Sequence, residues 1–340
     1  MEGYGGMSRH IISKIWADVF SGPGVYLGVD EKIYHSDPLP SPSLSSHVAK
    51  IALNRSVRHA QLAHPRFPEP VRPNTAAAYR LERVQAEAEA GKDESPPMPA
   101  RHLRLGQAAH SLTLGAGAPV VDCKVDKFLT KEAKARRDLV LRNGGIPLNT
   151  EDYWIAKDMA AVAKPFITEY MGGYFLPEVM LAWDRNGCWR RALVDILRPD
   201  LRAAGDYKTS AMELPPAAAA RLVATRNNTF QERFQTAGYD ALDPDGIGRR
   251  DYFFFVQEVD YPHEITVVES SEALRTKADE QVAGACALWD RAMKSGVFPG
   301  YPKEPVYATP TSWQLLEWEE RAMNDETLNP DESDDDLSAS

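Results

Sequence analysis

Cysteine is scarce in this chain: there are three among 340 residues, Cys123, Cys188 and Cys286, with no C-x-x-C pair. That argues against a zinc ribbon or a four-cysteine iron–sulfur cluster and fits a reducing, cytoplasmic setting. Long apolar runs are absent as well. None reaches the ~18 residues that a membrane span requires, so no membrane partner is expected. The N-terminus lacks a basic start followed by an apolar core and a small-residue cleavage site; Met7 offers an alternative start to Met1. Positive charge is also short, with a net charge of −10. Much of that deficit sits in Asn324 to Ser340, where Asp325, Glu326, Asp331, Glu332, Asp334, Asp335 and Asp336 occur without Lys or Arg. Such a run reads as a solvated, disordered tail.

What remains is ordinary for a soluble globular protein: 43% hydrophobic and 26% charged residues, enough for a sizeable core without staples. Ile11, Ile12, Ile15, Trp16, Val19 and Phe20 recur at helical spacing, which predicts a short N-terminal helix over part of residues 1–22, docked on the body or on a partner. Residues 24–36 read as extended, and Pro38, Pro40 and Pro42 force a loop. Ser43–Ser46 can cap a helix to about Ala60. Further helices are expected at 79–90, 101–114, 131–142 and 150–168. Pro177–Trp183 then reads as a strand, Asn186-Gly187 as a hairpin turn, Cys188–Leu197 as the returning strand and Ala203–Thr209 as a third. Helices follow at 215–225 and 228–242, a strand pair at 251–259 and 264–269, and a long helix at 271–294. The sum is an α/β domain over residues 23–320, with a central mixed sheet of about five strands flanked by helices, a helical N-terminal half, and an acidic tail at 321–340.

The meander carries the chemistry. Asp206 and Lys208 lie two apart on a strand, so their side chains leave the same face while Tyr207 points the other way. A tight turn at 198–202 brings Asp195 beside Asp206, and Glu178 begins the first strand of the set. Two or three carboxylates and one ammonium around a single point suit a hard divalent cation such as Mg²⁺, with Mn²⁺ able to substitute, and phosphodiester hydrolysis needs the charge neutralisation and activated water that such an ion supplies. The alternative is a surface ion pair on an edge strand. Asp195 argues against that, because in Ala192-Leu-Val-Asp-Ile-Leu197 a carboxylate is costly unless it meets a cation or donors. The two carboxylates beside Lys208 raise its pKa in the absence of metal. A nucleic acid also needs a basic patch. Residues 47–72 offer Lys50, Arg55, Arg58, Arg66 and Arg72, with His47, His59 and His64 between them. His110, and the i, i+4 pair Gln235 and Tyr239, are also compatible with ordinary helix packing.

Taken in order, these pieces resemble the RecE-type phage recombination exonucleases (exonuclease VIII) of the PD-(D/E)XK nuclease superfamily. The pieces are Tyr34-His35-Ser36, Ser43-Leu44-Ser45-Ser46, Leu105-Gly106-Gln107-Ala108-Ala109-His110, Pro177-Glu178-Val179, Val194-Asp195, Asp206-Tyr207-Lys208-Thr209, Gln235 to Tyr239, and Val297 to Tyr301 followed by Trp313. The resemblance runs from about Gly24 to Glu319. It implies a PD-(D/E)XK core in which Glu178, Asp195 and Asp206 ligate Mg²⁺ with His110 beside it. Lys208 is then the catalytic lysine, and Gln235 and Tyr239 hold DNA. It implies digestion of linear double-stranded DNA ends in the 5′-to-3′ direction, 3′ overhangs for a single-strand annealing protein, a homo-oligomeric ring of three or four subunits, and a phage or prophage origin in a bacterial cytoplasm. Two positions depart from the pattern: Leu193-Val194 stand where arginine and proline usually precede the second acid, and Phe234 stands where tyrosine is common. The readings left open beside it are an endonuclease on the same fold and a catalytically silent DNA-binding or scaffold protein.

Overall fold

The computed structural model describes residues 11–12, 20, 22–67, 98–325 and 328. In chain order the elements are β1 (Ile11–Ile12), β2 (Gly24–Tyr26), α1 (Glu31–Ser36), α2 (Ser46–Asn54), α3 (Val57–Ala63), α4 (Arg101–Leu114), β3 (Val120–Asp122), α5 (Lys131–Arg142), β4 (Ile146–Leu148), α6 (Thr150–Tyr170), β5 (Leu176–Arg185), β6 (Cys188–Leu197), β7 (Ala203–Ser210), α7 (Pro216–Thr225), α8 (Asn228–Leu242), β8 (Asp251–Glu258), β9 (Ile265–Val268), α9 (Glu272–Ser295) and α10 (Ser312–Asn324). The chain divides into two compact units, Met1–Gly300 and Tyr301–Ser340. The second contains α10, opened by a reciprocal capping box between Thr311 and Gln314.

A mixed α/β sheet flanked by helices organises the first unit. Six strands in the order β2-β5-β6-β7-β8-β9 form its body, and β1 adds in parallel beside β2. The β5–β6 hairpin turns through Asn186 and Gly187, both at positive φ (57° and 79°), the backbone that a two-residue hairpin loop demands and that Asn-Gly supplies at little cost. β7 pairs with β8 in parallel along its whole length, which makes the sheet mixed. On β8, Phe254 and Phe255 are both fully buried although they point to opposite faces, so that strand is covered on both sides. One face packs on α2, α8 and α9 through Val48, Phe230, Phe234 and Trp289. The other packs on α4 and α6 through Leu105, Ala109, Met159 and Ile167. Each large side chain so buried contributes about 1.5–3 kcal/mol. Among the described residues no helix is long and apolar enough to cross a membrane.

Several expectations change. Ile11–Ile12 form a strand rather than part of a helix, since pairing with β2 satisfies their backbone. Glu31–Ser36 is helical, because Asp30 accepts from Lys32 N at 2.8 Å and caps the turn. The helix expected from Ser46 to Ala60 breaks at Arg55, where Ser56 caps a second one. The body of the sheet, at six strands, agrees with the expected sheet of about five, while β3 and β4 form a separate parallel pair. The helix expected at 79–90, Arg72, and most of the acidic tail lie outside the described residues.

Candidate active site

The register of three strands builds the site. β5 and β6 pair at Pro177↔Ile196 and again at Val179↔Val194, so Glu178 stands across from Asp195. The two do not pair, because Glu178 adopts a left-handed backbone with φ 45°. β6 and β7 pair only at Leu197↔Ala204 and Ile196↔Gly205. One step further Asp195 comes opposite Asp206, and there the strands part while β7 continues along β8. Glu178, Asp195 and Asp206 therefore form one row across three strands, at the point where the sheet splits.

Side chains from both layers close on this row. From α4, His110 places Nε2 3.2 Å from Asp195 Oδ2 and Nδ1 3.7 Å from Glu178 Oε1. The Tyr207 amide donates to Asp195 Oδ2 at 3.2 Å. Lys208 Nζ donates to Asp206 Oδ1 at 2.9 Å and stands 2.7 Å from Oδ2. Gln231, on α8, donates to Asp206 Oδ1 at 3.1 Å. Two glycines admit these approaches. A Cβ on Gly106 would lie 2.6 Å from Thr209 Oγ1, so any larger residue there would displace the Thr209 side chain where α4 meets β7. Gly117, at φ 91°, leaves room for the Glu178 carboxylate, which a Cβ would meet at 2.8 Å. The row opens into a cleft of about 940 Å³ whose walls include His110, Glu178, Asp195, Lys208 and Arg226.

The electrostatics follow from this crowding. Burial pushes Asp206 up, Lys208 opposes that, and the neighbouring Asp195 charge adds to it, leaving Asp206 at about 6. Asp195 goes the other way, because His110 and Lys208 outweigh its burial. Burial also raises Glu178. His110 is raised despite its burial by Asp195 and Glu178. Lys208 is likewise raised despite burial, by Asp206 and Asp195, in the direction that its place between two carboxylates requires. Lys50, half-buried over the Phe230 ring, is lowered by burial and by the charge of Lys208.

Among the described residues no group of three or more His, Cys, Asp or Glu side chains is set out as a ready-made metal cage. Asp206 is turned onto Lys208 and Gln231, and His110 stands between Glu178 and Asp195. The donors nevertheless suit a hard cation. They are carboxylate oxygens in excess of positive charge, and Asp206 Oδ2 is sealed from solvent with the Lys208 ammonium 2.7 Å away as its one close charge.

The other residues expected at the site scatter. Gln235 is buried, with its amide taken at both ends: Nε2 donates to Leu193 O at 2.9 Å, and Oε1 accepts from Tyr252 OH at 2.8 Å. Tyr239 is buried in the core one turn further along α8. Both tie α8 to the sheet, and the member of this stripe that touches the acids is Gln231, one turn earlier. The i, i+4 spacing of Gln231 and Gln235 is the signal in the sequence that points to it. The basic stretch divides. Arg55 and Arg58 are exposed, and Lys50 stands near Lys208. His64 belongs to a buried cluster around Asp37, and Arg66 lies exposed at its edge. There Asp37 accepts from Ser43 N at 2.8 Å and Ser43 Oγ at 2.6 Å and faces Arg191 Nη1 at 3.1 Å and His64 Nε2 at 3.2 Å, while Arg66 donates to Leu39 O at 2.6 Å. Arg191 also donates to Tyr34 O, so the Tyr34–Ser36 and Ser43–Ser46 pieces fasten the N-terminal loop to β6.

No protein-family model matches the chain, and no curated protein does. Among solved structures it is similar to the crystal structure of a "Putative exonuclease" from Eubacterium rectale, at 12% identity and a TM-score of 0.45, covering 85% of this chain and 98% of the other.

Proposed function

We propose that this protein hydrolyses phosphodiester bonds of DNA with the help of Mg²⁺ or Mn²⁺, working from the ends of linear duplexes as an exonuclease. The observation that carries the reading is the row Glu178–Asp195–Asp206, with Lys208 and His110 joined to it at the mouth of an open cleft. Glu178, Asp195 and Asp206 would hold the ion, which when bound supplies Lewis acidity and a more acidic water. His110 keeps Glu178 and Asp195 oriented toward each other, and Gln231 fixes the rotation of the Asp206 carboxylate. Lys208 stays charged and offers its ammonium protons to the phosphate oxygens, where negative charge grows as water adds to phosphorus and the ester oxygen departs. The 5′-to-3′ direction, the 3′ overhang, the annealing protein that would receive it and a three- or four-membered ring rest on the sequence resemblance to RecE-type exonucleases.

The turn of Asp206 onto Lys208 favours a second reading, in which the fold binds DNA without cutting it. Linear and circular duplex DNA, each with Mg²⁺ and with EDTA, separate the readings. Progressive shortening of the linear form alone, abolished by EDTA, is the expected result. Discrete fragments from both forms would mean an endonuclease, and binding without loss of length would mean the silent protein.

A further inference from the structure

We infer that Arg226 and Lys50 hold the backbone phosphate adjoining the one that is cut, on the cut strand itself. This inference rests on the nuclease reading above and adds the substrate's footing to it. Arg226 follows the last turn of α7, where Asn227 at φ 50° swings the chain into α8, and it forms part of the cleft wall. Its side chain is exposed and makes no ion pair among the described residues. Lys50 comes from α2, with its ammonium 5.7 Å from the Phe230 ring centre and within range of the Asp206 charge, which it shares with Lys208. Both cations are close enough to Lys208 for their charges to act on it.

Arg226 and Lys208 thus stand together in the cleft wall, with Lys50 within range of the Lys208 charge, and the carboxylate that acts on both lysines, Asp206, already engages Lys208 and Gln231. Like charges in a partly buried wall repel one another unless an anion lies among them. A nucleic-acid strand brings anions at regular spacing. With one phosphate at the acids and Lys208, its neighbour falls to the free cations. Arg226 can meet two phosphate oxygens with its planar fork, and Lys50 supplies a point charge from an ammonium that lies over the Phe230 ring.

The test uses the full chain and end-labelled linear duplexes carrying one uncharged methylphosphonate, moved stepwise along the strand that is cut. Binding is measured in EDTA over a range of salt, and digestion in Mg²⁺. Arg226→Ala should bind unmodified duplex about tenfold more weakly, and its slope of log affinity against log salt should be shallower by about 1. One methylphosphonate position should weaken wild type to the same extent and cost Arg226→Ala nothing more. Arg226→Lys should keep the salt slope, and Lys50→Met should lose affinity at that same position. The inference is overturned if wild type digests duplex DNA but every methylphosphonate position costs Arg226→Ala as much as wild type, or if the salt slope does not change. If wild type neither binds nor shortens duplex DNA, the nuclease reading falls and this inference falls with it.

Discussion

Asp206 is held charged against its surroundings: it is buried, faces Asp195, and is answered by Lys208 and Gln231. A carboxyl whose folded pKa is raised costs the fold stability as pH climbs from the unfolded value of about 3.9 to the folded one, and the full cost persists above it. Asp206→Asn should therefore melt higher than wild type at pH 8 in EDTA, while Mg²⁺ should raise the melting temperature of wild type and not of the variant. A lower melting temperature in EDTA, or an equal Mg²⁺ effect on both proteins, would remove Asp206 from the ion's holders. Lys208→Ala should cut DNA about 10²–10³-fold more slowly and bind it within a few-fold of wild type, since Lys208 serves charge development rather than backbone tracking. Retained cutting by Lys208→Ala would sink the proposed mechanism.

At the scale of elements, α4 is pinned to β7 by the missing side chain at Gly106. Gly106→Ala should cost about 1–3 kcal/mol in urea unfolding, and Thr209→Ala in the same chain should recover most of that loss, because Thr209 Oγ1 is the atom in the way. The loop before α2 depends on Asp37, whose carboxyl is held below its usual value although burial opposes this, because His64, Arg191 and Ser43 outweigh it. A depressed folded pKa gives stability that is present above the unfolded value of about 3.9 and lost as pH falls through the folded value. The stability gap between wild type and Asp37→Asn should accordingly shrink below about pH 4 in denaturant titrations. Elements with strong local signals were legible: Arg101–Leu114 and Asn228–Leu242 fall where helices were expected, and Asn186-Gly187 turns the hairpin. The row of acids was legible from the meander, since two-residue periodicity and a short turn fix which residues meet. The parallel pairing of β7 with β8 was not, because it joins segments separated by two helices. Nor was the buried role of His64, which looks like any other cation in a basic stretch until Asp37 and Arg191 arrive from elsewhere in the chain.

For the molecule as a whole, charge is divided between a cleft wall that holds Lys208 and Arg226, with Lys50 within range of the Lys208 charge, and a C-terminal run whose charged residues are all acidic. Chains ending at Asn324 should digest DNA as fast as the full chain and bind it as tightly or more tightly at low salt, with the difference fading as salt rises. A large loss of activity on truncation would assign the tail a part in folding or assembly. The row of acids has a further consequence for how this chain tolerates insertion and deletion. Residues added at the Asn186–Gly187 tip lengthen a loop and leave Glu178, Asp195 and Asp206 abreast. Removing a single residue between Trp189 and Val194 instead slides the strand by one step, turns Asp195 to the other face of the sheet and dismantles the site while the hydrophobic layers survive in part. Length is thus free to drift at the hairpin's end and fixed along its arms.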